Sequence, residues 1–275
     1  MTAHARFSIN QQTVKQLSLP ELVETCAALG VRNVGLWREP VRAYGLEASA
    51  ALVREAGLTV TTLCRGGFLT ASEQGARRAA LADNRRAIDE AAALGTRVLV
   101  LVSGGLPEGE RDLRAARARL ADALAELAPY AGRSGITLAI EPLHPMFASD
   151  RCVVSTLTQA LDLADPFPAE QVGVCVDTYH VWWDDQAPAA LERAGAGGRL
   201  AAFQLADWIT PLPAGVLNGR GQLGDGAIDL AWWRERADAN GYEGPIEVEL
   251  FNDELWAGDG RKLLATTAER FARYV

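Results

Sequence analysis

Short apolar segments alternate along this chain with longer amphipathic segments rich in alanine, leucine, arginine and glutamate. The apolar segments have the length of β-strands, and the amphipathic segments have the period of helices that bury one face. Val98–Val102 is apolar at consecutive positions, which is typical of strands covered on both faces. The pattern predicts eight strands, at Arg6–Ile9, Asn33–Trp37, Leu58–Cys64, Arg97–Val102, Ile136–Glu141, Val172–Asp177, Leu200–Leu205 and Pro245–Phe251.

Local signals mark where the predicted helices begin and end. Ser18-Leu19-Pro20-Glu21 offers a serine N-cap, a proline in the first turn and an acid at the third helical position. The sixth helix is predicted around Pro188–Ala196. Glycine follows five helical segments at the place where a left-handed backbone ends a helix: Gly30, Gly57, Gly95, Gly135 and Gly241. The repeated order is therefore helix, glycine, strand.

The spacing of these elements predicts the fold. Eight strands in 275 residues give a repeat of about 34 residues, which matches the length that a strand-and-helix unit needs. No linker, charge block or low-complexity tract interrupts residues 1–275, so one domain is expected. The sequence predicts a single (β/α)8 TIM barrel of the α/β class. A doubly wound open sheet is the alternative, and the even spacing of eight units counts against it.

Composition and charge disfavour several classes of partner. Hydrophobic residues make up 49% of the chain and charged residues 23%, the balance of a globular protein with ample core material. The net charge of −8 disfavours a surface for nucleic acid or for anionic membranes. The N-terminal segment lacks the apolar core of a signal peptide, and no apolar run is long enough to span a bilayer. We therefore expect a cytoplasmic protein that binds neither nucleic acid nor membrane.

The cysteines, lysines and histidines narrow the chemistry further. Cys26, Cys64, Cys152 and Cys175 form no C-x-x-C pair and lie mostly in apolar segments, so buried free thiols are expected. Only two lysines are present, which leaves almost no candidate for a Schiff-base enzyme. Three histidines are too few for a trinuclear zinc centre.

One segment matches a nucleotide-binding motif without the context that the motif requires. Gly219-Arg220-Gly221-Gln222-Leu223-Gly224 fits G-x-G-x-x-G letter for letter. That motif binds a pyrophosphate only when it joins a strand directly to a helix. A proline-containing segment precedes it here and Asp225-Gly226 follows it, so we expect a loop and no nucleotide cofactor.

Oxygen-bearing side chains lie near the ends of the last four predicted strands. Glu141 and Asp177 close two of these strands, and Gln204 and Glu249 lie near the ends of the other two. Active sites of barrels form at the carboxyl ends of the strands, so the four side chains are expected to converge. Any one of these acids could instead form a salt bridge or cap a helix. Together, three carboxylates and an amide oxygen favour a Mn²⁺ or Mg²⁺ site over a zinc site.

Five short motifs follow one another in the second half of the chain: Ile140-Glu141-Pro142-Leu143, Val176-Asp177-Thr178-Tyr179-His180, Phe203-Gln204-Leu205-Ala206-Asp207, Gly224-Asp225-Gly226 and Glu247-Val248-Glu249-Leu250-Phe251. In this order they resemble the xylose-isomerase-like TIM-barrel superfamily, and more closely its sugar-phosphate isomerase and epimerase branch. That branch includes ketose 3-epimerases and inosose dehydratases, and the superfamily also has C-glycoside-cleaving members. The resemblance covers most of the chain and is strongest after residue 136.

The resemblance implies one divalent cation held by Glu141, Asp177, Gln204 and Glu249, with Mn²⁺ the expected ion and Mg²⁺ or Co²⁺ the alternatives. In ketose 3-epimerases the two glutamates also exchange protons with substrate carbon, one on each face. The sequence departs from the family at Gln204, because histidine usually stands at this position.

The resemblance also implies substrate contacts. Residues that match His180 and Arg220 bind substrate oxygens in that family. His144-Pro145 stands where the epimerases usually carry Asn-Arg, so the substrate of those enzymes is not carried over.

Three neighbouring side chains each have two open interpretations, and a fourth has one. His144 is either an acid or base beside the metal or a donor that orients a neighbouring group. Arg65, which follows the third strand, binds an anion or hydroxyl of the substrate or forms a surface ion pair. Trp37 stacks on a sugar or walls a pocket. Glu247 shares a side of its strand with Glu249 and is expected to be a paired interior acid.

The expected function is that of a divalent-metal-dependent isomerase or epimerase acting on a ketose or related keto-sugar through a metal-stabilised enediolate, with Glu141 and Glu249 as acid and base. A lyase is the alternative: a keto-inositol dehydratase or a C-glycoside deglycosidase acting on a 3-oxo-sugar, with His144 or His180 as acid.

The C-glycoside-cleaving relatives work with a small partner subunit, so such a subunit and a homo-oligomer both stay open. The DNA-cleaving branch is disfavoured by the few histidines and the negative charge. A non-catalytic sugar-binding protein is the alternative from another class.

Overall fold

A computed structural model of the protein describes residues 5–212 and 216–275, so the first four residues of the N-terminal segment and Pro213 before the glycine motif lie outside it. The strands of this part of the chain are β1 (Phe7–Asn10), β2 (Asn33–Trp37), β3 (Thr59–Gly67), β4 (Val98–Val102), β5 (Thr137–Glu141), β6 (Val172–Asp177), β7 (Leu200–Leu205), β8 (Asp207–Trp208), β9 (Arg220–Gly221) and β10 (Ile246–Val248).

Eight of these strands close into a barrel in the order β1-β10-β7-β6-β5-β4-β3-β2. Every neighbouring pair in the barrel is parallel. Strands β8 and β9 form a separate antiparallel ribbon. The predicted (β/α)8 barrel is confirmed, and the open-sheet alternative is wrong because β1 pairs with both β2 and β10.

Helices cover the outside of the barrel between the strands. They are α1 (Leu19–Leu29), α2 (Arg38–Tyr44), α3 (Leu46–Glu55), α4 (Gln74–Leu94), α5 (Leu113–Arg133), α6 (Leu157–Ala164), α7 (Thr178–Val181), α8 (Ala187–Ala196), α9 (Leu230–Ala239), α10 (Asp253–Trp256) and α11 (Gly260–Tyr274). The helix predicted around Pro188–Ala196 is α8. None of the helices in the described ranges combines the length and the apolar character needed to cross a membrane.

The predicted helix signals act as expected. The backbone N–H of Ser18 donates to the Glu21 carboxylate at 2.9 Å, which fixes the start of α1. Gly30 ends that helix with a φ of 69°, a left-handed conformation that glycine adopts without steric cost. The other four predicted helix-ending glycines also have positive φ.

The two strands that differ most in length from their predictions do so for local reasons. Strand β3 continues to Gly67, because Asn84 of α4 both donates to the Gly67 carbonyl at 2.9 Å and accepts from its N–H at 2.6 Å. Strand β10 ends at Val248, although the ladder continues one step further through a bond from Glu249 N–H to the Leu205 carbonyl. Glu249 therefore lies at the rim of the barrel, just beyond the strand.

Small side chains fill the inside of the barrel below the strand ends. A buried cluster, separate from the outer core, consists of Cys64, Val100, Ala139, Cys175 and Ala202. Residues two apart on a strand point to the same side, so the next inward layer on β5, β6 and β7 is formed by Glu141, Asp177 and Gln204. The low layer leaves room above it for polar groups and for a substrate. Two of its members are cysteines, and all four cysteines are free and buried, as expected.

Candidate active site

The four residues predicted to converge do so at the carboxyl ends of the strands. Glu141 and Asp177 are the last residues of β5 and β6, Gln204 lies in β7, and Glu249 follows β10. Asp177 is in register with Gln204, and Gln204 is in register with Glu247. All of these residues are at most 5% exposed, so the site is a polar cluster, mostly of acids, held away from bulk water.

The Gln204 side chain has one satisfied end and one unsatisfied end. Its Nε2 donates to Glu247 Oε1 at 2.8 Å. Its Oε1 is buried and has no hydrogen-bond partner in the described ranges. A buried carbonyl oxygen without a partner costs about 1–3 kcal/mol of folding free energy, so a bound group that contacts this oxygen is expected.

Glu247 is buried among neutral donors instead of being paired with a cation. Its carboxylate accepts from Asn10 Nδ2 at 2.7 Å, from Thr61 Oγ1 at 2.7 Å and from Thr62 Oγ1 at 2.9 Å, in addition to Gln204. A Cβ at Gly35 would lie 2.4 Å from the Glu247 carboxylate, so only glycine leaves room for it there. The expectation of a paired acid is corrected to an acid held by hydrogen bonds. It fixes the Gln204 amide with its nitrogen turned toward Glu247.

Arg220 joins two of the acids. Its Nη1 lies 2.8 Å from Asp177 Oδ2 and 3.0 Å from Glu249 Oε2, and it also donates to the Glu249 carbonyl. The guanidinium carbon lies 5.0 Å from the ring centre of Tyr179 and 4.8 Å from that of Phe251. Arg220 is therefore held by charge on one side and by aromatic rings on the others.

The glycine motif around Arg220 does not begin a helix. Arg220 and Gly221 form the short strand β9, and the next helix starts only at Leu230. The predicted loop is thus confirmed apart from this two-residue strand.

His180 directs a ring nitrogen toward the acids. The backbone N–H of His144 approaches His180 Nδ1 at 3.2 Å. His180 Nε2 lies 3.9 Å from both Glu141 Oε1 and Asp177 Oδ2, and 3.1 Å from Arg220 Nη2, which can only donate. The two contacts compete for the ring, because a neutral imidazole has one acceptor nitrogen.

Burial sets the protonation of these groups. It raises the pKa of Glu141 well above its usual range, and the neighbouring charges of Glu249 and Asp177 raise it further. Burial also raises the pKa of Glu249 to about 7, against the opposing effect of Arg220. Burial, with help from Arg220, holds the pKa of His180 well below its usual range, so the imidazole is neutral. In the cluster without a cation, burial and the neighbouring acids therefore favour the protonated form of Glu141.

A cavity of about 150 Å³ opens directly onto these acids. Sites for larger ligands occupy roughly 300–1,000 Å³, so this volume suits a small molecule. Six of the predicted residues line it: Glu141, Glu249, His180, Arg220, Arg65 and Trp37. Asp177 and Gln204 are fully buried and do not line the cavity.

His144 does not line the cavity. Its ring packs 5.5 Å from the ring centre of Trp183 and 5.2 Å from that of Trp208, and its Nδ1 accepts from the Met146 N–H. Its backbone, by contrast, orients His180. The ring of His144 thus packs against tryptophans, while its main chain contacts the cavity residue His180.

Several residues that shape the site had no signal in the sequence. Arg151 lines the cavity from the irregular segment before α6, ten positions after Glu141. Asn10 and Thr62 come from β1 and β3, whereas the pattern of acids at strand ends concerns only the later strands. The sequence indicated only Glu247, which some of these residues contact, because it lies two positions before Glu249 on the same side of the strand.

The donor set fits a divalent cation. Glu141, Asp177 and His180 each offer a ligand atom, and these atoms all lie within 4.8 Å of one another. The partnerless Gln204 Oε1 adds an uncharged oxygen to the same layer. Carboxylate and amide oxygens are the ligands that Mn²⁺ and Mg²⁺ prefer. A bound cation would give Gln204 Oε1 a partner. It would also offset the negative charge of the buried carboxylates, which Arg220 alone does not balance.

Comparison with known proteins places this site in a family. The model of the xylose isomerase-like TIM barrel family matches residues 23–272. The chain belongs to this family. A protein from Sinorhizobium meliloti 1021, whose crystal structure is known, is 43% identical to this chain, with a TM-score of 0.95 over 98% of each chain.

Two groups of curated enzymes are more distantly similar. 3-Dehydroshikimate dehydratase of Pseudomonas aeruginosa PAO1 is 31% identical over 89% of this chain. Inosose isomerase of Bacillus velezensis FZB42 is 27% identical over 54% of this chain. The matched regions are 38% of the length of the dehydratase and 52% of the length of the isomerase. This xylose isomerase-like barrel therefore resembles enzymes of two reaction classes.

Proposed function

We propose that this protein is a divalent-metal-dependent enzyme that removes a proton from the carbon next to a ketone in a small polyhydroxylated substrate. The observation that carries the proposal is the buried, partnerless Gln204 oxygen in the same layer as Glu141 and Asp177, beneath a cavity of small-molecule size that Glu249 also lines. Glu141, Asp177, Gln204 and Glu249 would hold the cation. When bound, a divalent cation polarises a carbonyl oxygen and so acidifies the neighbouring C–H bond.

Glu141 is the base in this proposal. No described residue donates a hydrogen bond to its carboxylate, whereas Glu249 Oε2 is bound by Arg220. The raised pKa of Glu141 suits a group that accepts a proton from carbon and then releases it. Arg220 donates to a substrate oxygen, and the neutral ring of His180 lies beside it.

Two reactions share this proton abstraction. In dehydration, Glu141 takes the proton from carbon, the C–H electrons form a C=C bond, and the hydroxyl on the next carbon leaves as water with the proton from Glu141. In isomerisation or epimerisation, the proton returns to a carbon, and inversion requires a second base on the opposite face. Glu249 is the candidate for that second base.

The asymmetry of the two glutamates favours dehydration. Arg220 holds Glu249 and opposes its protonation, while Glu141 is unrestrained by hydrogen bonds. The dehydratase match also extends over 89% of this chain, against 54% for the isomerase match. A metal-dependent dehydratase of a cyclic hydroxyketone is therefore the first candidate, and a ketose or inosose isomerase or epimerase is the second.

Proton NMR in D₂O tests both candidates. The protein with Mn²⁺, and in parallel with Mg²⁺ or Co²⁺, is incubated with ketohexoses, an inosose and 3-dehydroshikimate. We expect an alkene product from a cyclic hydroxyketone, or solvent deuterium beside the ketone if isomerisation is the reaction. Metal-loaded protein that produces neither with any of these substrates would contradict the proposal.

Variants of the two glutamates separate the two candidates. Glu141→Gln keeps the size of the side chain but removes its basicity, and turnover should fall at least ~10²-fold. Glu249→Gln should slow an epimerase as strongly and a dehydratase much less. Glu235→Gln, an exposed residue of α9, is the matched control and should leave turnover unchanged. Normal turnover by Glu141→Gln would show that Glu141 is not the base.

A further inference from the structure

Two arginines at the cavity have no acidic partner. Arg65 and Arg151 both line the cavity and are half-buried, yet within the described ranges neither side chain forms an ion pair or a hydrogen bond. Other partly buried arginines of this chain do have partners, such as Arg38 with Glu90 at 2.6 Å and Arg119 with Glu110 at 2.6 Å. Withdrawing a charge from water without a partner costs free energy, so Arg65 and Arg151 differ from the other partly buried arginines in lacking a partner.

Both arginines are carried by well-held backbone. The carbonyl of Arg65 accepts from Arg38 Nη1 at 3.3 Å. The backbone N–H of Arg151 donates to the Phe147 carbonyl at 2.9 Å. A Cβ at Gly105 would come within 2.7 Å of the Arg151 nitrogen, so this loop packs closely on the chain after β4. The two cations are therefore positioned by the fold.

The environment of Arg65 keeps its donors available. Its guanidinium carbon lies 4.4 Å from the ring centre of Phe68 and 5.8 Å from that of Trp37. Aromatic rings contact the face of a guanidinium and leave its in-plane N–H groups free to bind a planar or tetrahedral anion. Burial lowers the pKa of Arg65 and the charge of Arg151 lowers it further, against the opposing effect of Glu39. The charge of Arg151 thus disfavours the charged form of Arg65, and a bound anion would offset this effect.

We infer that Arg65 and Arg151 form an anion-binding subsite, so the substrate carries a carboxylate or phosphate group in addition to its ketone and hydroxyls. The role of this anion as part of the substrate rests on the proposed function, but binding of the anion does not. Glu141 and Glu249 act on the carbon chain from the floor of the cavity, and the two arginines hold the anionic end. Neutral ketoses would leave both arginines unpaired and are disfavoured.

Binding without turnover tests the subsite. Metal-free protein is titrated in a calorimeter with shikimate, a cyclic polyhydroxy acid without a ketone, and with its neutral methyl ester. Fructose 6-phosphate and fructose form a second pair. We expect the anionic member of at least one pair to bind at least about tenfold more tightly, and the pair with the larger ratio identifies the carboxylate or the phosphate.

Arginine variants locate the effect. Arg65→Met and Arg151→Met should each lose about tenfold in affinity for the preferred anion and none for its neutral counterpart. Arg65→Lys keeps the charge and should lose less. Arg32→Met, which removes an exposed arginine outside the cavity, should change neither affinity.

The outcomes separate this inference from the proposed function. Equal binding of acid and ester and of fructose 6-phosphate and fructose would overturn the subsite, as would anion affinity unchanged in both methionine variants that still unfold cooperatively. Selective anion binding that both variants weaken supports the subsite, even in a protein that fails every turnover assay.

Discussion

Replacing Gln204 with leucine separates the role of its amide in metal binding from its role in folding. The variant removes a buried oxygen that has no partner, which relieves about 1–3 kcal/mol of unfolding free energy. It also removes one donor to Glu247, a loss of about 1.5–3 kcal/mol. Since the two effects oppose each other and Glu247 keeps its bonds to Asn10, Thr61 and Thr62, the metal-free variant should unfold near the wild-type temperature.

Metal-induced stabilisation should differ sharply between the two proteins. A ligand at 100 times its Kd stabilises a fold by about 2.7 kcal/mol, which raises Tm by about 5–10 °C in a domain of this size. Partners outside the ligand set alone change metal affinity by about 10- to 100-fold, so we take about 100-fold for a lost ligand. At the same Mn²⁺ concentration the variant would then be stabilised by only about 0.4 kcal/mol, or about 1 °C.

Differential scanning calorimetry after chelation and Mn²⁺ titration measures this difference. Gln222→Leu is the matched control, because Gln222 is also buried but donates to Thr267 at 2.8 Å and accepts from the Leu223 N–H at 3.0 Å. The control should lower the Tm of the metal-free protein and keep the metal-induced rise. A full metal-induced rise in Gln204→Leu would refute the assignment of the amide oxygen as a ligand.

Three further outcomes are expected. Chelation should abolish turnover and one equivalent of Mn²⁺ should restore it, so full activity in metal-free protein, checked by elemental analysis, would contradict the metal site. Hydrogen bonds from Arg38 lower the pKa of Asp83, so this carboxylate stabilises the fold above its unfolded pKa of about 3.8 and stops doing so as pH falls. Asp83→Asn, in which the replaced side chain is 38% exposed, should therefore cost about 1 kcal/mol at pH 7 and less near pH 2, measured by urea unfolding. A thiol reagent should modify none of the four cysteines in the native protein and all four in denaturant, and rapid native labelling would contradict their burial.

The barrel and most of its active-site acids are predictable from the sequence because they follow periodic rules. Strand ends in a parallel barrel meet at one rim, so Glu141 and Asp177 could be located from the ends of two apolar runs. The same reasoning reaches Gln204, although it does not reveal which end of the amide faces Glu247. That orientation depends on donors contributed by strands far apart in the sequence.

The placement of loop residues was beyond the same reasoning. Arg151 reaches the cavity because its segment packs against Gly105 and pairs through Cys152 with Gly104, and no periodic pattern encodes such a contact. His144 follows the Glu141 strand closely enough to suggest catalysis, yet its ring packs among tryptophans. Sequence spacing fixes which residues are near the rim, while tertiary packing decides which of their atoms face the substrate.

The contact between Gly35 and Glu247 means that substitutions at these two distant positions constrain each other. An alanine at position 35 would collide with the carboxylate at 2.4 Å, and a small residue at 247 would leave a void beside the glycine. Homologues that lose the acid can therefore carry a side chain at position 35, whereas a side chain added beside the acid requires the carboxylate to move out of its hydrogen bonds. We expect positions 35 and 247 to covary among homologues.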